Sequence, residues 1–168
     1  MRYRFGFQSA LLLAFLLTAC DPGAPRRTVA PADSSSARVP FELAGPGGAA
    51  LVVPVFLNGE GPYAFVLDTG ATLTCVDRSL AEKLGLPARR GGTGVGIGIG
   101  RPGRVGLVGI DSIRLGQTRA IDLLACVLDL NHLGAVGIEI DGLLGLNFLK
   151  PFRITLDFPG QELIVTAD

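Results

Sequence analysis

The sequence predicts an all-β domain with one or two short helices, and three observations carry that reading. Of 168 residues 24 are glycine, so tight turns and close backbone approaches are frequent. Val, Ile and Leu are prominent among the rest, in short runs bounded by turn-forming residues, and lysine is nearly absent; short strands fit this composition better than long helices. In Tyr63-Ala-Phe-Val-Leu-Asp-Thr-Gly-Ala-Thr-Leu-Thr-Cys75, an acid ends one apolar strand and a second apolar run follows within a few residues.

In chain order the first element is a leader. Arg2 and Arg4 precede an apolar core from Ala10 to Leu17, too short to span a bilayer as a permanent helix and sized like the apolar region of a signal peptide. It ends in Leu17-Thr18-Ala19-Cys20, which resembles a bacterial lipobox. That resemblance implies a lipoprotein-type signal peptide over 1–20, lipidation of Cys20 and attachment to a membrane through the lipid. An ordinary cleaved signal with an incidental cysteine and an uncleaved anchor are the competing readings. Asp21 resembles an inner-membrane retention signal. The expected location is therefore the bacterial cell envelope, facing the periplasm, with the inner membrane favoured.

Residues 21–40 contain Pro22, Pro25, Pro31, Pro40 and the run Ser34-Ser-Ser36 with almost no large apolar side chains. Such a segment cannot bury surface and reads as a disordered linker. That leaves 41–168 as one folded domain of ordinary size. Fifteen basic and fifteen acidic residues cancel, and without Arg2 and Arg4 the balance is about −2. No basic stripe marks a nucleic-acid partner. Arg89 and Arg90, with Arg101 and Arg104, read as a solvated loop or a charged sheet edge.

Within the domain, Tyr63–Leu67 and Leu73–Val76 read as buried strands, and Arg78–Leu86 as a short helix with Leu80, Ala81 and Leu84 on one side, ended by Gly85 and Pro87. Gly94-Val-Gly-Ile-Gly-Ile-Gly100 alternates glycine with β-branched residues, turns at Arg101-Pro-Gly103 and returns through Arg104 to Leu115, a hairpin pattern. The formal Gly-x-Gly-x-x-Gly inside it is not a dinucleotide site, because Pro102 and the following strand exclude the helix such a site needs. Thr118–Leu130 reads as a strand and Asn131–Gly137 as a loop. Phe152–Phe158 and Leu163–Val165 read as a hairpin about Pro159-Gly160.

The chemistry concentrates at Asp68. A glycine two residues on permits the turn, Thr69 offers a hydroxyl, and the strand presents the carboxylate at its end. Two such carboxylates facing each other share a proton, one serving as base toward water and the other as acid toward a carbonyl. The plain alternative is that Asp-Thr-Gly is an ordinary turn. Downstream lies Ile140-Asp-Gly-Leu-Leu-Gly-Leu-Asn-Phe-Leu149. With both segments in this order, the chain from Phe41 to Val165 resembles the retropepsins, the single-domain aspartic proteases of retroviruses and their bacterial relatives.

The resemblance implies an acid-protease closed β-barrel of a single lobe. Asp68 would be the catalytic aspartate, and Thr69, Gly70 and Ala71 the active-site loop. Leu143, Leu144 and Gly145 would be the second signature. It places a flap over the peptide at 92–108, with Gly94, Gly96, Gly98 and Gly100 as its candidate residues; glycines that only permit close sheet packing are the alternative. Retropepsins supply one aspartate per chain, and no second Asp-Thr/Ser-Gly occurs here, so an active enzyme is expected to be a homodimer acting on a peptide or protein substrate. In retroviral members the termini interleave into the interface sheet, which the position of the last strand allows. In the retropepsin fold the strands of Cys75 and Cys126 run near each other, leaving two readings, a disulfide or two buried thiols. No metal and no cofactor is expected, since His132, a loop residue, is the only histidine and no Cys-x-x-Cys occurs. A non-catalytic retropepsin-like module that binds peptide or protein is the rival function.

Overall fold

The computed structural model describes residues 36–96 and 103–167. The strands are β1 (Ala37–Pro40), β2 (Glu42–Ala44), β3 (Ala50–Leu57), β4 (Glu60–Leu67), β5 (Thr74–Asp77), β6 (Ala88–Gly96), β7 (Gly103–Leu115), β8 (Thr118–Leu128), β9 (Gly142–Leu144), β10 (Phe152–Asp157) and β11 (Glu162–Ala167). The helices are α1 (Arg78–Lys83) and α2 (Leu146–Leu149). None of the described helices is long and apolar enough to cross a membrane.

Strands β3, β4, β9, β5, β8 and β7 are hydrogen-bonded in that order. β3 then pairs back onto β7 through Val55–Leu115 and Leu57–Ile113, closing a six-stranded barrel. Alternation drives the closure: Val53, Val55 and Leu57 of β3 point inward and are buried, as are Ile110, Ile113 and Leu115 of β7. β2 extends the sheet beside β3, and β6 extends it beyond β7. A separate sheet of order β1-β11-β10 closes one side; its Val39, Phe152, Leu163 and Val165 join the same buried cluster as Phe65 and Phe148. Each of these large side chains contributes about 1.5–3 kcal/mol when fully removed from water.

Four expectations are corrected. Ala37–Pro40 belongs to the fold and not to the linker, because Ala37 and Val39 are buried in alternation and the strand pairs with β11, where Arg38 meets Glu162 at 2.7 Å. α1 ends at Lys83 and not Leu86, since Gly85 takes φ +58° and the Leu86 N–H turns back to the Ala81 carbonyl. Asn131–Val136 is a 3₁₀ turn closed by Gly137 at φ 74°, not an open loop. Finally, β11 is bordered on both sides by strands of its own chain, so it has no free edge with which to interleave with a second copy.

The glycine-rich segment forms the expected hairpin: β6 and β7 pair antiparallel through Gly94–Val105 and Gly96–Gly103. Gly98 and Gly100 lie outside the described residues, as do the leader with Cys20 and residues 21–35.

Candidate active site

The two sequence signatures become neighbouring strands. β9 threads between β4 and β5, running parallel to β4 with Leu144 beside Leu67, and antiparallel to β5 with Leu143 beside Cys75. Asp68, the next residue after β4, donates its N–H to the Leu144 carbonyl at 3.0 Å. Glycine is needed at two places in this arrangement. A side chain on Gly142 would collide with the Phe65 ring and the Cys75 carbonyl, and one on Gly145 with the backbone of Leu73 and Thr74.

After β4 the chain turns on the Asp68 side chain itself. Asp68 Oδ1 accepts the N–H of Gly70 at 2.8 Å and that of Ala71 at 3.2 Å. The carboxylate is half-buried while Thr69 and Gly70 are exposed. Among the described residues, its hydrogen bonds all fall on Oδ1, which leaves Oδ2 for an incoming group. The two backbone donors fix the plane of the carboxylate without neutralising it.

The far side of the turn is clamped to α2. Leu146 N–H donates to the Ala71 carbonyl at 2.8 Å and Asn147 N–H to the Thr72 carbonyl at 3.1 Å. The Asn147 side chain completes the clamp. Its Oδ1 accepts the Thr74 N–H at 2.7 Å and the Thr74 hydroxyl at 2.9 Å, and its Nδ2 donates to the Leu124 carbonyl at 2.8 Å. Thr74 Oγ1 in turn accepts the Gly145 N–H at 3.2 Å. Thr74 is wholly buried, so these bonds satisfy groups that water cannot reach.

β5 is held on two further sides. Cys75 and Cys126 face each other in the β5–β8 register and are joined by a disulfide, with Cα atoms 4.4 Å apart. At the end of β5, Asp77 caps α1 by accepting the N–H of Ser79 at 2.8 Å and also that of Leu130 at 2.9 Å. Burial pushes the Asp77 carboxyl up, but the Ser79 hydroxyl and the backbone N–H groups of Leu130, Ser79 and Arg78 outweigh it and hold the group below its ordinary value. Asp77 N–H donates to the Asp141 carbonyl at 2.7 Å, and Asp141 exchanges bonds with Ala64 through its own N–H and Oδ2.

Reading the sequence for chemistry found Asp68 and Leu143-Leu144-Gly145, which the fold brings together, and did not single out Thr74, Asp77, Asp141 or Asn147. The available signal was a polar residue set inside an apolar run, as Thr74 is between Leu73 and Cys75. No group of three or more His, Cys, Asp or Glu among the described residues is placed to hold a metal ion. An apolar hollow of about 240 Å³ on the β3–β4 face is lined by Pro40, Glu42, Val53, Pro54, Pro62 and Tyr63 among others. None of its lining residues belongs to the Asp68 loop or to β9.

Residues 53–148 match the profile of the aspartyl protease family. Among solved structures, the chain is similar to a retropepsin-like aspartic protease from Rickettsia conorii, with a TM-score of 0.53 and 19% identity over 79% of this chain and 92% of that one. It is also similar to the retroviral protease-like domain of Ddi1 from Leishmania major, with a TM-score of 0.45 and 20% identity over 71% of this chain and 94% of that one. No curated protein matches it in sequence. A barrel with Asp-Thr-Gly-Ala at the end of β4, Leu-Leu-Gly threaded beside it and a family profile spanning both lead to one conclusion: the chain belongs to the aspartyl protease family and has a retropepsin-like fold.

Proposed function

We propose that the chain is an aspartic endopeptidase that acts as a homodimer, tethered to a bacterial membrane through Cys20 and facing the periplasm. The observation that carries the catalytic part is the Asp68 carboxylate, held in plane on Oδ1 by the Gly70 and Ala71 N–H groups. An ordinary turn can use the same Oδ1 bonds; the family profile that spans both this turn and the β9 segment beside it favours the catalytic role. One such carboxylate is half of an aspartic protease site. In the dimer, Asp68 of each copy meets the other across a two-fold axis, and the two share one proton. The ionised member takes a proton from a water held between them as that water attacks the peptide carbonyl. The protonated member gives its proton to the carbonyl oxygen.

The β6–β7 hairpin is proposed to close over the peptide, with Gly94 and Gly96 lending it freedom. Thr69 is proposed to brace the paired loops. The lipid tether is inferred from the Leu17-Thr18-Ala19-Cys20 sequence alone.

The test is cleavage of a peptide library by the purified chain from acidic to neutral pH. Asp68→Asn is expected to abolish cleavage with little change in melting temperature, and a transition-state mimic of the aspartic class to block the wild type. A stable monomer with no cleavage at any pH would instead indicate a peptide-binding module. For the tether, the bacterially expressed chain is expected in the detergent phase of a temperature-induced partition and Cys20→Ala in the aqueous phase; a wild type found in the aqueous phase removes the lipid.

A further inference from the structure

Strand β5 carries the chain away from the Asp68 loop and is only four residues long. It pairs parallel with β8 over that length and antiparallel with β9 at Cys75 and Val76. Parallel pairing is slightly less stable per residue than antiparallel, and four residues supply little of it. The Cys75–Cys126 bridge lies inside a ring of contacts that includes the loop. Cys75 follows Thr74, whose N–H and hydroxyl donate to Asn147 Oδ1. Asn147 Nδ2 donates to the carbonyl of Leu124, two residues before Cys126 on β8. The bond from Cys126 to Cys75 closes that ring covalently. Asn147 also holds the loop, through its N–H on the Thr72 carbonyl. A shift of β8 against β5 is therefore felt at Asn147 and, through Thr72, in the turn that aims Asp68.

We propose that Cys75 and Cys126 act as an oxidative licence for the site: the dithiol chain is folded but poorly active, and forming the bridge switches cleavage on. This rests on the protease reading above and adds its control. The oxidant is an external disulfide, small or protein-borne. The thiolate of one cysteine attacks it, releases one thiol and is left in a mixed disulfide; the thiolate of the other cysteine then attacks the first cysteine's sulfur and releases the second thiol. The two cysteines together lose two protons and two electrons, and the external disulfide gains them.

In a reducing compartment the chain stays a dithiol and spares the proteins around it. In an oxidising one, such as the periplasm proposed above, it is switched on. Burial makes the step nearly one-way. Both cysteines are only 6% exposed, so exchange takes place while short β5 is open, and once the strands close a reductant reaches neither sulfur without local opening. Neither cysteine touches the reacting atoms. They are positioning residues that act through Thr74 and Asn147.

The test uses the full chain purified in detergent, unfolded in urea with a phosphine reductant and refolded with the reductant kept, which gives the dithiol. Part is then oxidised with oxidised glutathione, and thiol titration follows the loss of two thiols. The dithiol is expected to match the oxidised chain in far-UV circular dichroism, to exchange amide hydrogens faster across 68–76, and to cleave peptide with kcat lower by roughly tenfold or more and KM little changed. Oxidation is expected to restore cleavage. Cys75→Ala with Cys126→Ala is expected to cleave as poorly as the dithiol and to respond to neither reagent. A dithiol that cleaves as fast as the oxidised chain, a double variant with full activity, or oxidation that consumes the thiols without restoring cleavage overturns the licence and leaves the protease reading intact. A dithiol that unfolds throughout also overturns it, because the bridge then only holds the fold. An oxidised chain that is inactive at every pH overturns the protease reading itself.

Discussion

Asp68 can be aimed because hydrogen bonds restrain its turn, and Asn147 braces the strand that follows it. Its side chain meets three groups, two of them the backbone and hydroxyl of the wholly buried Thr74. Asn147→Ala strands those donors without water, at a cost of about 2–3 kcal/mol; urea denaturation is the check, and an unchanged midpoint contradicts the clamp. Asp77 supports the other end of β5. Its folded-state pKa is depressed, so its contribution is present above the ordinary carboxylate value and is lost as pH falls through the lower folded value. Thermal melts are expected to show the wild type losing stability below about pH 4, with Asp77→Asn less stable at neutral pH and flatter in acid. Equal slopes would contradict that role. The Asp68 turn was legible in the sequence because Asp, Gly and flanking apolar strands each have a local signature. Asn147 was not, because its importance comes from β8 and the Asp68 loop arriving beside it from far along the chain.

Among the elements, β5 is fastened by β9, by β8 and by the Cys75–Cys126 disulfide. The bridge spans 51 residues, and in the chain-entropy account closing a loop of that size contributes about 4 kcal/mol by restricting the unfolded chain. The paired Cys75→Ala, Cys126→Ala variant is expected to lose a comparable amount in denaturant titration, whereas a loss within error would show that the native chain does not rely on the bridge. Legibility differed among elements for a physical reason. The β6–β7 and β10–β11 hairpins announce themselves through Gly94-to-Gly100 alternation and Pro159-Gly160, both local. β1 carried Pro40 and a serine run upstream, so its composition read as linker. What makes it a strand is Ala37 and Val39 packing beside Leu163 and Val165, a long-range pairing that no window of sequence contains. β2 and β3, likewise, lie where the sequence reading named no element.

For the whole molecule, the fold class was legible because composition and two ordered signatures agree, and the barrel's closure through β3 and β7 follows once alternating residues must be buried on one side. The pairing of the termini was not legible. It depends on the hairpin after α2, whose second strand accepts β1 and leaves β10 at the edge. Each chain supplies one Asp68 of the Asp-Thr-Gly type. The central proposal is that the active site forms only when two chains each supply Asp68. The most direct measurement is a titration of the Asp68→Asn chain into a fixed amount of wild type, with subunit exchange allowed and cleavage rate recorded. The account predicts that Asp68→Asn alone is inactive and that its excess drives wild-type activity toward zero, because mixed dimers hold one aspartate. Wild-type activity that stays constant under a large excess of Asp68→Asn, or cleavage by Asp68→Asn alone, would contradict it.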